Sequence, residues 1–232
     1  MIQALSAWMD KLHSTFIVDN NYMLLVEGFK NTVIISLGAL AIGVILGVLV
    51  MVIKFLAEEK KFLRPLAAVC NFYVTAVRGI PVTVLLLIFY FIILRAADGV
   101  VTAIIAFGVN SGAYMAEIVR SGIEAVDKGQ TEAARSLGMT RLEAMGLVVL
   151  PQGVKNILPA VGNEMIALLK ETSVAGYVAV QDLTRAGNLI RNNTYDAVNP
   201  LLVVAIVYLV LVVLLTRLLA VFEKRLHRSD AR

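Results

Sequence analysis

Residues 32–53 contain no charged side chain, and such a run is at home in only one solvent. A helix needs about 20 mostly apolar residues to cross the hydrocarbon core of a bilayer. Residues 201–221 repeat the pattern, with Arg217 alone near the end. Composition agrees: 59% of the residues are hydrophobic and 16% charged, against about 45–50% and about 25% in a soluble domain. Apolar runs of this length predict an all-α membrane protein, because each helix satisfies its own backbone polar groups in lipid.

Three further spans are weaker. Residues 66–94 are apolar but too long for one straight crossing: at about 1.5 Å per residue they would extend about 43 Å, against a core of about 30 Å. Within them, Arg78-Gly79-Ile80-Pro81 predicts a broken helix, since Pro81 removes a backbone donor and Gly79 loosens the turn before it. Residues 100–119 carry Asn110, Ser111 and Glu117, and residues 157–180 carry Asn163, Glu164, Lys170 and Glu171. Five helices place the termini on opposite sides. Fourteen Lys and Arg fall on the side of residues 54–64, 120–155 and 217–232, and five on the other. Cytoplasmic loops attract this excess, so the expected orientation is N-terminus outside and C-terminus cytoplasmic. The same bias explains the formal charge of +4 without nucleic acid as a partner.

The expected organisation is an extracytoplasmic or interfacial segment over 1–30, a transmembrane domain over 31–222 and a basic cytoplasmic tail over 223–232. In the first segment Ile2, Leu5, Met9, Leu12 and Phe16 recur at helical spacing, with Trp8 suited to an interface. A helix lying on the outer surface and one packed on its own bundle both fit. No basic region precedes the apolar run, so no secretory leader is expected.

The polar loop 120–155 is the most informative segment. Asp127 suits an N-cap, with Gln130 placed as a reciprocal partner. Glu132-Ala133-Ala134-Arg135-Ser136-Leu137 favours helix. Gly138 permits a turn with positive φ. Thr140 with Glu143 forms a second capping box, and Leu150-Pro151 is expected to end that helix. The loop reads as a rigid helical hairpin presented to the cytoplasm.

Glu132-Ala133-Ala134, Gly138 and Leu150-Pro151, in that order, resemble the EAA loop of ABC importer permeases, in the form found in polar amino acid permeases. Arg78-Gly79-Ile80-Pro81, Ser111-Gly112-Ala113-Tyr114-Met115-Ala116-Glu117-Ile118-Val119-Arg120 and Leu168-Leu169-Lys170-Glu171-Thr172-Ser173-Val174 resemble the same family, and the likeness covers about residues 31–222. Ile80 stands where many members have threonine, so a polar role there is lost. The resemblance implies a type I importer permease fold in the bacterial inner membrane. It implies pairing with a second permease, identical or paralogous, above a cytoplasmic dimer of ABC ATPases that holds ATP and Mg. An extracytoplasmic binding protein would deliver the amino acid. Glu132, Ala133, Ala134 and Gly138 would form the contact with the ATPase.

No phosphate-binding G-x-x-x-x-G-K-[ST] loop occurs in the sequence, so no cofactor is expected on this chain and it is not read as an enzyme. Cys70, the only cysteine, supports neither a disulfide nor a metal cluster. His13 and His227 lie at opposite ends, and no nucleophile–base set is present.

Charged residues within a span are costly, roughly 2.5–3.5 kcal/mol each at the bilayer centre. Those of the fourth span must therefore face protein, water or each other. The expected substrate residues are Arg78, whose planar fork suits a carboxylate, and Asn163, Glu164 and Asp196 as acceptors. Two carboxylates around one site favour arginine, lysine or histidine as cargo, with glutamine or glutamate the alternative. Internal salt bridges would equally account for Arg78 and Glu164, and capping of the fifth helix for Asp196. A secondary transporter and a membrane scaffold are the rivals from other classes, but neither gives both the hairpin and the buried charges a purpose.

Overall fold

The computed structural model describes the backbone of residues 2–18 and 20–228, and the side chains of residues 6, 8–18 and 20–226. Ten α-helices are named in chain order. They are α1 (Ile2–His13), α2 (Tyr22–Glu59), α3 (Arg64–Gly79), α4 (Val82–Ile88), α5 (Gly99–Glu124), α6 (Lys128–Ser136), α7 (Arg141–Ala144), α8 (Leu150–Glu171), α9 (Leu183–Thr194) and α10 (Asn199–Arg228). Among the described residues there is no β-strand. The long apolar helices α2, α5, α7–α8 and α10 are four candidate spans, and the bent segment Lys61–Gly79 with Val82–Ile93 makes a fifth. The tail beyond residue 228, and the side chains of Ile2, Leu5 and His227, lie outside the described residues.

The bundle is built around α2 and α5, which pack closely because glycines on each helix receive side chains of the other. A Cβ on Gly47 would sit 2.4 Å from Cβ of Met115, and one on Gly108 would sit 2.7 Å from Cβ of Ile42. Gly43 and Gly47 on α2, and Gly108 and Gly112 on α5, are each four residues apart. Small residues at this spacing bring helix backbones together where lipid gives no hydrophobic driving force. Ile35, Ala39, Leu86, Phe107, Leu168 and Val178 form a buried cluster over which α4 and α8 close. Cys70 is buried with Val50, Val74 and Ala116.

The break in the second span falls where Pro81 dictates. Ile80 is extended, at φ −98° and ψ 130°, the conformation a following proline imposes. The chain bends by 111° between the two legs.

Pro151 does not end a helix, contrary to expectation. Helices α7 and α8 are joined by a π-helical turn, Met145–Val149, and the chain stays helical from Arg141 to Glu171. Proline is tolerated where its missing N–H has no partner to lose, and the wider turn upstream creates that place. The fourth span therefore continues directly from the second arm of the hairpin.

Helix α1 packs on its own bundle. Trp8 Nε1 donates to Oδ1 of Asn199 at 2.9 Å, and Lys11 lies 3.6 Å from Asp196. Phe16 is buried. These contacts tie the N-terminal segment to the start of α10.

Candidate functional site: a polar face of α5 and a helical loop hairpin

The loop hairpin has the predicted form. Asp127 caps α6 by accepting from the Gly129 N–H at 2.6 Å. At the other end of α6, the Gly138 N–H donates to the Arg135 carbonyl and the Met139 N–H to the Ala134 carbonyl. This is a Schellman ending, which needs a left-handed residue at its centre, and Gly138 supplies it at φ +86°. Thr140 and Glu143 make both halves of a capping box at the start of α7. Gln130 does not complete a second box. Its Oε1 accepts from Gln152 Nε2 at 3.3 Å, which ties α6 to α8. Ala134 is turned inward and buried, while Glu132 and Ala133 are exposed. Leu137 at the tip is 82% exposed, a feature that helical propensity alone did not single out.

Within the membrane, polar groups collect on one face of α5. Asn110, Tyr114 and Glu117 follow at steps of four and three residues and so share a side. They extend over about 10 Å at about 1.5 Å per residue. At one end Asn110 Nδ2 donates to Oε2 of Glu171 at 3.4 Å. At the other, Glu117 lies between Arg120, at 2.8 Å, and Arg78, at 4.0 Å. The guanidinium of Arg78 also sits 5.3 Å from the centre of the Tyr114 ring. A cation over an aromatic face is attracted by the ring quadrupole. Arg78, Tyr114 and Glu117 line an open cleft of about 420 Å³ with Asn71, Thr75 and Gly79. The cleft opens beside the helix break.

The expected substrate residues separate. Glu164, half-buried on α8, accepts from Ser111 Oγ at 2.8 Å, about 100° around α5 from Asn110 at 3.6 residues per turn. Its partner is a neutral hydroxyl, not a cation. Asn163 is exposed. Asp196 is not brought to Arg78 or Glu164 and serves as a cap. Its oxygens accept from the Val198 and Asn199 N–H groups and from Asn199 Nδ2, and its side chain is 3% exposed. Desolvation pushes the Asp196 carboxyl up, but the Asn199 and Val198 hydrogen bonds and the nearby Lys11 outweigh it and hold it below its ordinary value. Glu117 is the residue the sequence undervalued. Its i,i+3 spacing to Arg120 was visible, but its approach to Arg78 depends on the contact of α3 with α5.

Residues 40–228 match the family model described as the binding-protein-dependent transport system inner membrane component. The probable glutamine ABC transporter permease protein GlnM of Bacillus subtilis is 35% identical, over 92% of this chain and 98% of its own length. The arginine transport system permease protein ArtQ of the same organism is 35% identical, over 89% and 94%. A solved amino acid ABC transporter with histidines superposes with a TM-score of 0.83 at 38% identity, covering 90% of this chain and 98% of its own. With helices long enough to cross a membrane several times, the rigid loop hairpin, and matches along almost the whole chain, the protein belongs to the binding-protein-dependent transport system inner membrane components, as a multi-pass membrane permease of the amino-acid ABC importer type.

Proposed function

We propose that this permease moves basic amino acids, arginine, lysine or histidine, into the cytoplasm, driven by a separate ATPase that grips the α6–α7 hairpin. The observation that carries the cargo reading is the pairing of Glu164. A carboxylate half-buried in a span, with a hydroxyl as its hydrogen-bond partner and no ion pair among the described residues, leaves negative charge uncompensated in low dielectric. A cationic side chain in transit would neutralise it. Arg78, at the break, would meet the cargo carboxylate by exchanging its contact with Glu117. Asn163 would add an exposed acceptor.

The coupling reading rests on the hairpin. Glu132, Ala133 and the tip Leu137 are presented outward, and Gly138 fixes the angle between the two arms. Ala134 holds the arms together. Because the second arm is continuous with the fourth span, a push on the hairpin is transmitted along α8 to Glu164 without an intervening loop. In this scheme two permeases, identical or paralogous, sit above two ATPase subunits that bind ATP and Mg, and an extracytoplasmic binding protein supplies the cargo.

A neutral, glutamine-type cargo is the second reading, favoured by the name of the Bacillus subtilis relative GlnM. The two are separated by Glu164→Gln in vesicles reconstituted with the partner subunits. The expected result is a loss of arginine and histidine uptake of at least tenfold, with glutamine uptake retained. Equal arginine uptake by the variant and the parent would sink the basic reading. Uptake that persists without ATP would sink the coupling reading.

A further inference from the structure

A groove on the other side of the bundle has no part in this scheme. It runs between α2, α5 and α8, holds about 510 Å³, and is walled by apolar side chains such as Val44, Val48, Val154, Leu158 and Val161. It adjoins a second cleft of about 410 Å³, and Met51, Phe55, Ile123 and Met145 line both. That second cleft holds Lys54, Arg120 and Arg141, drawn from α2, α5 and α7, with Glu58 and Glu124. Arg141 is bonded to Glu58 and lies over the Phe55 ring at 4.8 Å. Arg120 is paired with Glu117 and Glu124. Lys54 enters no ion pair within 4.0 Å among the described residues, although its charge also acts on Glu117, and the cleft lining itself carries three cations against two carboxylates.

We propose that this composite groove binds one anionic phospholipid of the leaflet on the basic side, with its acyl chain in the apolar part and its phosphate between Lys54 and Arg141. Three observations argue for a lipid over another occupant. The depth fits: from Lys54 to Val44 along α2 is about 15 Å at about 1.5 Å per residue, half of a hydrocarbon core of about 30 Å. The polarity fits, because an apolar trough that ends in a cluster of cations at the edge of the charge-free run has the division of an acyl chain from its headgroup. The charge fits, since basic residues beside a membrane surface attract anionic headgroups. The shape of the trough has a local cause in the π-helical turn. Gly146 lies in that turn and faces the groove, and a Cβ built there meets nothing within 4 Å. The occupied site would matter for the hairpin, because the lipid phosphate competes with Glu58 for Arg141, the one ion pair that links α7 to α2 among the described residues.

The proposal goes beyond the transport reading and does not depend on cargo or ATPase. Its test is lipid retention by the full chain in mild detergent, with whatever partner subunits accompany it, read by native mass spectrometry. The probes are phosphatidylglycerol and phosphatidylethanolamine with identical acyl chains. Phosphatidylglycerol is expected to be retained more strongly. Lys54→Gln should weaken that retention about fivefold, the factor for about 1 kcal/mol per basic residue at a membrane surface, and leave phosphatidylethanolamine unchanged. Gly146→Leu, which fills the trough, should weaken both lipids. Equal retention of the two lipids by the parent, or no effect of Lys54→Gln, would overturn the proposal. So would a change of oligomeric state in Gly146→Leu with lipid retention intact, because the groove would then hold another copy of the chain.

Discussion

Replacing Gly47 by alanine adds one methyl group at the tightest point of the α2–α5 contact. The new Cβ would lie 2.4 Å from Cβ of Met115 and 2.8 Å from the Ala116 nitrogen and the Met115 carbonyl carbon. Favourable contact between carbon atoms begins at about 3.5 Å, so the shortfall is about 1 Å, and two of the three atoms are backbone. A side chain cannot swing away to relieve it. The helices must separate along the whole seam, which opens the Gly43 and Gly112 contacts as well. Overpacking of this kind costs typically 1–3 kcal/mol, and the upper half of that range is expected here. The lone buried thiol gives a direct assay. Cys70 packs beside Ala116 in the same region, so a thiol-reactive dye reports opening of the bundle on heating. Gly47→Ala should react at a clearly lower temperature than the parent. Gly146→Ala is the control, because its Cβ meets nothing and the exchange removes a helix penalty of about 1 kcal/mol. Should the two variants melt together, close approach of α2 and α5 would not be what holds this bundle.

Other expectations follow from the same geometry. Gly138→Val places a β-branched residue at φ +86°, at a cost of about 1–2 kcal/mol; the chain should still insert and bind cargo but lose ATP-driven accumulation, measured as substrate-stimulated ATP hydrolysis. Asp196→Ala should lower stability by about 1 kcal/mol through loss of the cap on α10. Because the Asp196 carboxyl is held below its ordinary value of 3.8, its contribution is complete above about pH 4 and disappears as the pH falls through the lowered value. The melting temperature of the parent should therefore converge on that of Asp196→Ala only in strong acid, and convergence already at pH 6 would refute the cap. Arg78→Lys keeps the charge but loses the planar fork; it should raise the apparent KM for amino acid uptake and leave the melting temperature unchanged.

The parts of the fold set by local chemistry were legible in the sequence. Charge-free runs marked the strong spans, Ile80-Pro81 marked the break, and Thr140 with Glu143 marked the start of α7. Gly138 was legible because one conformation demanded it. The misreadings came where a neighbour decided the outcome. Pro151 looked like a terminator, because the π-helical turn that accommodates it has no signature in composition. Gln130 had the spacing of a capping box, yet Gln152 on another helix took its side chain. Asp196 had the chemistry of a ligand and the position of a cap, and its contacts with Asn199, Thr15 and Lys11, which make the cap, were not visible in the sequence. For the candidate site, the helical spacing of Asn110, Tyr114 and Glu117 was present in the sequence. What the sequence could not give was which helix each of them meets: α8 for Asn110, α3 for Glu117.

The angular break between α3 and α4 carries a consequence for the surroundings of the chain. At Ile80 and Pro81 the helical ladder is interrupted and only partly made good by the bonds from the Ile80 N–H to Val77 and from the Leu85 N–H to Pro81, and hydrocarbon offers the remaining peptide groups nothing in exchange. That flank of the molecule must therefore look onto water or onto another polypeptide, never onto acyl chains. An isolated copy dissolved in lipid would leave this wound open, so whatever closes over the elbow is as much a part of the folded state as the helices themselves.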